Sequence, residues 1–511
     1  MKSKKIFWIF ALALVIRILM IGLHETIEID GVYYSRLGYN LINGGGYIDV
    51  EGNVNTVFTP LYPILIGIFD LVFGNLEFTA RIISVIFGAL LIFPVYMLAR
   101  RLYNEKVALV SALITAVYPA LAYISTITYS DSLYLFLLYN LFYFGYRALE
   151  EKKRSLYAIS GLLGGLLYLA RPEGAFYTFL IALLAVFWSR KDIRSAARNI
   201  ILLLVVFAMV VSPFVLFAYN QTGDLSLSSK GYVVYKFREF KPFTIEYERN
   251  IFGLNEEKTD IKLNPYTVKG SLANEIMNNL PNFFSRYFYG LFKEIYFVIP
   301  MLFPLVIFSI ISFFRKFDKK DLKKEYYLLA LIAYPILFFP VFWVEVRYML
   351  PILPVLVMWA SNGILNIDRL LNRKWISTFL LIVIVAFSLA GNVLANQLVD
   401  KRFEKQDPPL EHREAGKWLK ENFDSPVIME RKPWASFYSG GTFVNLPYGN
   451  FSDVKEYGCY KKAEFMIADE RYVGKLRPGL SYLLEKEKSE PDIVYENERN
   501  KNRLIVYKLD C

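Results

Sequence analysis

The stretch Leu156-Tyr-Ala-Ile-Ser-Gly-Leu-Leu-Gly-Gly-Leu-Leu-Tyr-Leu-Ala170, Arg171-Pro172-Glu173-Gly174, Ala175-Phe-Tyr-Thr-Phe-Leu-Ile-Ala-Leu-Leu-Ala-Val-Phe-Trp188 sets two apolar runs on either side of a charged turn. Basic clusters close both ends, with Lys152, Lys153 and Arg154 before it and Arg190, Lys191 and Arg194 after it. This is the pattern of a helical hairpin in hydrocarbon whose basic ends face the cytoplasm. Each run has about fifteen residues, or ~22 Å of helix against a ~30 Å hydrocarbon core. The Arg171–Glu173 turn is therefore expected below the outer surface, in a cavity. The plain alternative is an Arg–Glu pair that only satisfies a helix break.

The rest of the chain repeats the theme. Ile6–Gly22, Val107–Tyr123, Ile200–Ala218 and Phe379–Leu394 are runs of similar or greater length. Hydrophobic residues make up 55% of the 511 and aromatics 17%, above the ~45–50% apolar content of soluble domains. Mean hydropathy is +0.33. The net charge of +11 does not mark a nucleic-acid binder. Many of the basic residues fall in short segments between apolar runs, with no basic stripe or nucleic-acid motif.

With Lys2, Lys4 and Lys5 placed inside, the spans expected are 6–23, 78–99, 107–127, 132–148, 156–170, 174–188, 199–218, 295–314, 326–343, 348–366 and 376–395. Under this parity every short basic loop is cytoplasmic. The fold class read from this is an α-helical polytopic membrane protein of about 11 transmembrane helices, with the N-terminus cytoplasmic and the cell membrane as its location. Pro60–Gly74 is expected to lie along the outer surface, because a crossing there would move every later basic loop outside. Residues 1–396 form the membrane domain, with outer loops at 24–77 and 220–290. Residues 397–511 alternate helical and strand patterns and read as a small extracytoplasmic α/β domain. A helix is expected at Glu411–Phe423, with others near 452–462 and 475–487. Strands are expected at Val427–Met429, Phe443–Val444, Phe465–Ala468 and Leu504–Tyr507. The two cysteines, Cys459 and Cys511, both fall in this domain. They are compatible with a disulfide there or with two buried thiols.

Ionisable groups beside hydrocarbon cost several kcal/mol, so they are the first candidates for function. The parity brings four sets to one face: Glu28 and Asp30, Asp131, Arg171 with Glu173, and Glu345 with Arg347. Each has a plain reading as well. Asp131 reads as a helix N-cap between Ser130 and Ser132, Asp30 as a solvated loop residue, and Glu345/Arg347 as interfacial charges.

The segments Asp30-Gly-Val-Tyr-Tyr-Ser-Arg-Leu-Gly-Tyr-Asn-Leu-Ile-Asn-Gly-Gly-Gly-Tyr47 and Thr59-Pro-Leu-Tyr-Pro63 carry a resemblance. So do Tyr129-Ser-Asp-Ser-Leu-Tyr134, Tyr168-Leu-Ala-Arg-Pro-Glu-Gly174 and Glu345-Val-Arg-Tyr-Met-Leu-Pro351. In this order they resemble GT-C superfold membrane glycosyltransferases, nearest the branch of dolichyl-phosphate-mannose-protein mannosyltransferases and aminoarabinose transferases. The match covers roughly residues 1–366. One departure is that Asp30 is followed by Gly31, where the family often has a second acidic residue. Glu28 is the available substitute. The Trp-Trp-Asp signature of oligosaccharyltransferases is absent.

The resemblance implies a polyprenyl- (dolichyl-) phosphate sugar as donor, transfer of one sugar with inversion on the extracytoplasmic side, and a protein, lipid or polysaccharide acceptor. The local chemistry is consistent with this: Asp30 is the candidate general base, Arg171 and Arg347 offer forked contacts to the donor phosphate, and Glu173 and Glu345 are placed to orient the arginines. Tyr34 and Tyr348 are further substrate contacts. Asp131 positions the acceptor or, with Asp30, holds a divalent metal such as Mg or Mn. Lys230, Lys236 and Arg238 of the second outer loop are candidates to cover the donor. A lipid-linked glycan flippase and a noncatalytic glycan-binding protein are the rival classes. Internal repeats, common in transporters, are not seen.

Overall fold

A computed structural model of the chain describes residues 2–188, 192–223, 231–264, 272–314, 317–342, 345–373, 375–402, 407–485 and 492–511. Helix occupies each of the expected apolar stretches. Among the described residues, four helices are long and apolar enough to cross a bilayer: Leu76–Leu102, Ile193–Thr222, Lys319–Val341 and Arg347–Asp368. Shorter apolar helices run over Leu61–Phe73, Arg154–Ala170, Gly174–Trp188 and Ile376–Asn392. Their side chains merge into one large core around the Asp131–Glu151 helix, where Leu138, Tyr139, Leu141 and Phe142 are buried.

Several stretches expected as single helices are broken, each at a proline or a packed turn. The stretch 107–127 divides at Pro119 into Glu105–Val117 and Pro119–Ile124, because proline cannot donate the hydrogen bond that would continue the helix. The break leaves carbonyls unmatched, and Arg17 of the first helix serves them. Its guanidinium donates to Ala116 O at 3.0 Å, to Leu121 O at 3.5 Å and to Ala13 O of its own helix at 3.1 Å. Likewise 348–366 begins as a 3-10 turn, Val346–Ile352, before the helix Leu353–Leu370. Pro351 and Pro354 explain why α-helical bonding does not start earlier.

The outer loop 24–77 holds two helices, Ile29–Ile42 and Leu61–Phe73. They cross in close contact at Gly38 and Gly67, where a Cβ on either residue would overlap the other helix's backbone.

The C-terminal region carries a five-stranded sheet: β1 (Val427–Glu430), β2 (Thr442–Asn445), β3 (Phe465–Asp469), β4 (Ile493–Arg499) and β5 (Asn502–Lys508). The order is β2-β1-β3-β5-β4, with β1 parallel to β2 and β3, and β5 antiparallel to β3 and β4. The alternation of strands assigns the two faces. Met429, Met466, Ala468 and Ile505 pack against Val454 and Tyr457. Ile428, Phe465, Ile467 and Val506 pack against Ala415 and Leu419 of the helix Leu410–Asn422. Cys459 and Cys511 are disulfide-bonded, with Cα atoms 5.3 Å apart.

Two expectations are corrected here. The helix expected over 475–487 is not found as one element: a short π-helix, Glu470–Gly474, precedes that range and a short 3-10 helix, Ser481–Leu484, lies within it, while 486 and 487 lie outside the described residues. Pro478-Gly479 interrupts any α-helix between them. Strand β4 was not expected. Its residues Ile-Val-Tyr-Glu-Asn-Glu-Arg form an exposed edge, so no apolar alternation marks it. It is set by the hairpin turn at Asn500 and Lys501, both at positive φ (51° and 62°).

The C-terminal domain is fastened to the segment 24–77. Trp434 Nε1 donates to Ile27 O (3.0 Å), Tyr438 OH accepts from Ile27 N (3.0 Å), and Arg36 donates to Gly441 O (3.0 Å). Ile27, Val32, Val50, Trp434, Phe443 and Tyr472 share an apolar cluster beneath these bonds. The second outer loop contributes Glu248, whose carboxylate takes Arg431 in a bidentate pair (2.8 Å twice) and Arg477 at 2.8 Å. Burial alone would raise the Glu248 carboxyl, but the two guanidiniums outweigh it and hold it at about 2. Inside the domain, burial opposes charge on His412. The carboxylates of Asp469 and Glu430 outweigh it and raise His412 to about 10.

Removing Glu248 strands two buried guanidiniums. Glu248→Ala should lower stability by about 3–5 kcal/mol, read by thermal unfolding of the full chain in nanodiscs. The depressed Glu248 value means its contribution is present above about 4.5 and lost as pH falls toward about 2. The raised His412 value means that contribution is present below about 6.5 and lost as pH rises toward about 10. Melting temperature should fall at both extremes, and His412→Gln should abolish the alkaline limb alone.

Candidate active site

Four chain breaks place the charged residues. Asp30 lies in the first turn of Ile29–Ile42, behind the extended Glu28. Asp131 opens the helix Asp131–Glu151. Arg171 ends Arg154–Ala170 with φ −156° and ψ 132°, the extended conformation that a following proline imposes. Arg347 sits in the 3-10 turn after extended Glu345. Hydrogen bonds lock these pieces together: Tyr139 OH to Pro351 O (2.7 Å) and Ser84 Oγ to Tyr129 O (3.1 Å).

The result is two matching Asp–Arg–Glu units. Arg171 Nη1 meets Asp131 Oδ1 at 2.7 Å while its Nε meets Glu173 at 2.5 Å. Arg347 Nη1 meets Asp30 Oδ2 at 3.0 Å, and its Nε donates to Glu345. Tyr348 lies between them, its ring 5.3 Å from the Arg171 guanidinium and 5.2 Å from that of Arg347. Tyr348 also stacks on Phe339 at 5.0 Å. Tyr129 lies beneath Arg347 at 4.4 Å. A small cavity of about 10 Å³ is lined by Asp131, Tyr134, Arg171, Glu173, Arg347 and Tyr348, among others. Burial separates the two aspartates. Asp131 is 5% exposed, and its Oδ2 has no hydrogen-bond partner among the described residues. Asp30 is 25% exposed, so it is the more accessible of the two carboxylates.

Tyr34 supports the site through Ser130 Oγ (3.2 Å). Glu28 turns to Thr128, accepting from its N (2.9 Å) and Oγ1 (2.6 Å), and so anchors the loop beneath Asp30. The same packing explains Gly31: a Cβ there would overlap Thr128 Oγ1 and come within 2.6 Å of Thr128 Cβ. A second acidic side chain at position 31 does not fit.

The metal expectation was tested on the donor set. Asp30 and Asp131 each face a guanidinium, and among the described residues no three His, Cys, Asp or Glu side chains gather as a metal cradle. No step is derived through an ion. Of the second-loop candidates, Lys236 is held by Glu239 (3.0 Å) and Glu275 (2.8 Å). Arg238 donates to Pro340 O and to Arg286 O, bracing the turn that carries Phe339. Lys230 lies outside the described residues. Phe339 and the outer-domain residues near Asp30 were not anticipated. Their sequence neighbourhoods carry no motif, and only folding brings them here.

The geometry can be set beside known proteins. The family model described as dolichyl-phosphate-mannose-protein mannosyltransferase matches residues 58–217, which include Asp131, Arg171 and Glu173. ArnT from Cupriavidus metallidurans, bound to undecaprenyl phosphate, superposes with a TM-score of 0.61 at 13% identity, covering 99% of this chain and 98% of that one. The Archaeoglobus fulgidus oligosaccharyltransferase in complex with Zn and sulfate superposes with a TM-score of 0.59 at 16% identity, covering 90% and 68%. No curated protein matches by sequence. The chain has the GT-C glycosyltransferase fold.

Gly31→Ala should cost about 1–3 kcal/mol through overpacking against Thr128, read as a drop in melting temperature. Gly31→Asp should cost more, because it adds a buried charge.

Proposed function

We propose that the chain is a membrane glycosyltransferase that moves one sugar from a polyprenyl-phosphate donor to an acceptor hydroxyl, with inversion, on the extracytoplasmic face. The observation that carries this reading is the pair of Asp–Arg–Glu units around Tyr348. Two guanidiniums held in fixed orientation by acidic partners suit a phosphate, which accepts forked hydrogen bonds. Glu173 and Glu345 set the forks. Tyr348 spaces them.

In the transfer, the acceptor hydroxyl gives its proton to Asp30 and its oxygen forms a bond to the anomeric carbon. The carbon–oxygen bond to phosphate breaks, and its electron pair stays on the phosphate. That leaving group is weakly basic, so it needs cations rather than a proton donor. Arg171 and Arg347 supply them. In the structure Arg347 also holds Asp30. A phosphate that takes this edge of Arg347 releases the Asp30 carboxylate to accept the proton, so donor binding prepares the base. Asp131, more deeply buried, keeps Arg171 in place. The polyprenyl chain then lies between helices beside the short hairpin 154–188.

Purified protein incubated with labelled polyprenyl-phosphate sugars should release polyprenyl phosphate as sugar appears on an acceptor. Movement of intact lipid across the bilayer would instead favour a flippase. Asp30→Asn should cut turnover by about 10²–10⁴-fold with unchanged thermal unfolding, and near-wild-type turnover removes Asp30 as the base. Arg171→Lys should weaken donor affinity by about tenfold or more, since one charge-assisted bond is worth roughly 1.5–3 kcal/mol. Engineered cysteines near positions 30 and 171 should both label from outside; labelling from opposite sides overturns the topology.

A further inference from the structure

Asp131 and Tyr134 each keep one polar atom that the Asp–Arg–Glu units do not use. They are three residues apart on the helix Asp131–Glu151, which sets them one above the other on a single helix face. Arg171 Nη1 takes one oxygen of Asp131, Oδ1, at 2.7 Å, and its guanidinium lies over the Tyr134 ring at 5.6 Å. The second oxygen, Oδ2, and the Tyr134 hydroxyl are buried, and neither has a hydrogen-bond partner among the described residues. Tyr134 is only 4% exposed, so bulk water does not satisfy it. Polar groups withdrawn from water without a partner are costly to keep, and here two of them belong to one site.

Both residues line the small cavity shared with Arg171, Arg347 and Tyr348, to which Leu135, Leu350 and Pro351 contribute apolar walls. Its volume of about 10 Å³ is near that of one water-sized group. The two unmet atoms define the chemistry of that group. A carboxylate held by a guanidinium only accepts hydrogen bonds, while a phenol donates one. A single atom that completes both must donate and accept at once. A hydroxyl does so. A phosphate oxygen has no proton to give Asp131, and an ammonium has no lone pair to accept from Tyr134.

We propose that Asp131 Oδ2 and Tyr134 OH together read one hydroxyl of the sugar carried by the donor lipid, which makes Tyr134 a specificity-determining residue of the transfer. This rests on the transferase reading above and names the substrate class more closely: a neutral sugar with a free hydroxyl at the position that enters the cavity. Recognition of sugar and phosphate then runs through one guanidinium, because Arg171 binds the phosphate, sets Asp131 and covers Tyr134. A donor deoxygenated at that position leaves both buried atoms unmet, the kind of mismatch that a site rejects strongly. The cavity admits one hydroxyl, so the remaining positions of the ring are read outside it.

Full-length protein in nanodiscs is compared with Tyr134→Phe, which removes the hydroxyl and keeps the ring. Binding is measured for polyprenyl phosphate and for polyprenyl-phosphate mannose, glucose and arabinose. The variant should bind polyprenyl phosphate as the parent does. It should bind the tightest of the three sugar lipids about three- to tenfold more weakly, with kcat/KM lowered by a similar or larger factor. Its melting temperature without lipid should equal or exceed that of the parent, because no hydrogen bond within the protein is lost. In the parent, one monodeoxy analogue of the same sugar lipid should show the same loss, and Tyr134→Phe should add nothing further to it. Equal weakening of sugar-free and sugar-bearing lipid assigns Tyr134 to the phosphate and overturns the proposal, as does no weakening of either. Tyr134-dependent binding of a sugar lipid by a protein that transfers no sugar keeps the hydroxyl site and removes the transferase reading instead.

Discussion

Two guanidiniums held in a low-dielectric cleft impose the constraint on which this site depends. A charge beside hydrocarbon is tolerated only when it is paired and hydrogen-bonded. Here each arginine is given two carboxylates, one next to it in sequence and one from a distant segment. Glu173 and Glu345 are two residues from their partners, so local turns deliver them. Asp131 and Asp30 arrive from other helices. The local partner sets the orientation of the fork, and the distant partner ties together helices that share no sequence neighbourhood. The surrounding breaks at Pro172 and Pro351 follow from the same need, because they turn the chain so that arginine side chains enter the cleft.

The same arrangement bears on reactivity. Arg347 is bonded to the more exposed carboxylate, and Arg171 to the one that is buried. On the proposed mechanism, a phosphate that competes for Arg347 changes the state of Asp30, while Asp131 still holds Arg171. Aromatic rings at Tyr348, Phe339 and Tyr129 fill the space around the guanidiniums. They cover the guanidinium faces, and the Tyr348 hydroxyl also accepts from Arg347 Nη2 at 3.5 Å.

The outer domain is part of this architecture. It rests on Ile27 and Val32 on either side of Asp30, and its hold on the second outer loop passes through Glu248. That carboxylate is matched to two arginines, so one buried anion joins the helix Ile245–Phe252 to two separate segments of the C-terminal domain. Docking the domain and shaping the mouth of the site are therefore coupled through the same few residues.

Sequence alone determined the membrane character of the chain. It also determined the apolar stretches and the candidate charges Asp30, Asp131, Arg171, Glu173, Glu345 and Arg347, because run length and the cost of burying charge act locally. Strands β1, β2, β3 and β5 were legible for the same reason, through their short apolar runs. Tertiary structure decided which aspartate meets which arginine, that Glu28 serves Thr128 rather than the arginines, and that Gly31 has no room for a side chain. It also decided the edge strand β4, which has no apolar face to reveal it, and the bond from Trp434 to Ile27 across about four hundred residues of chain. Hydropathy and spacing record what a segment must avoid. Pairing between distant segments depends on how helices pack, and no local pattern encodes it.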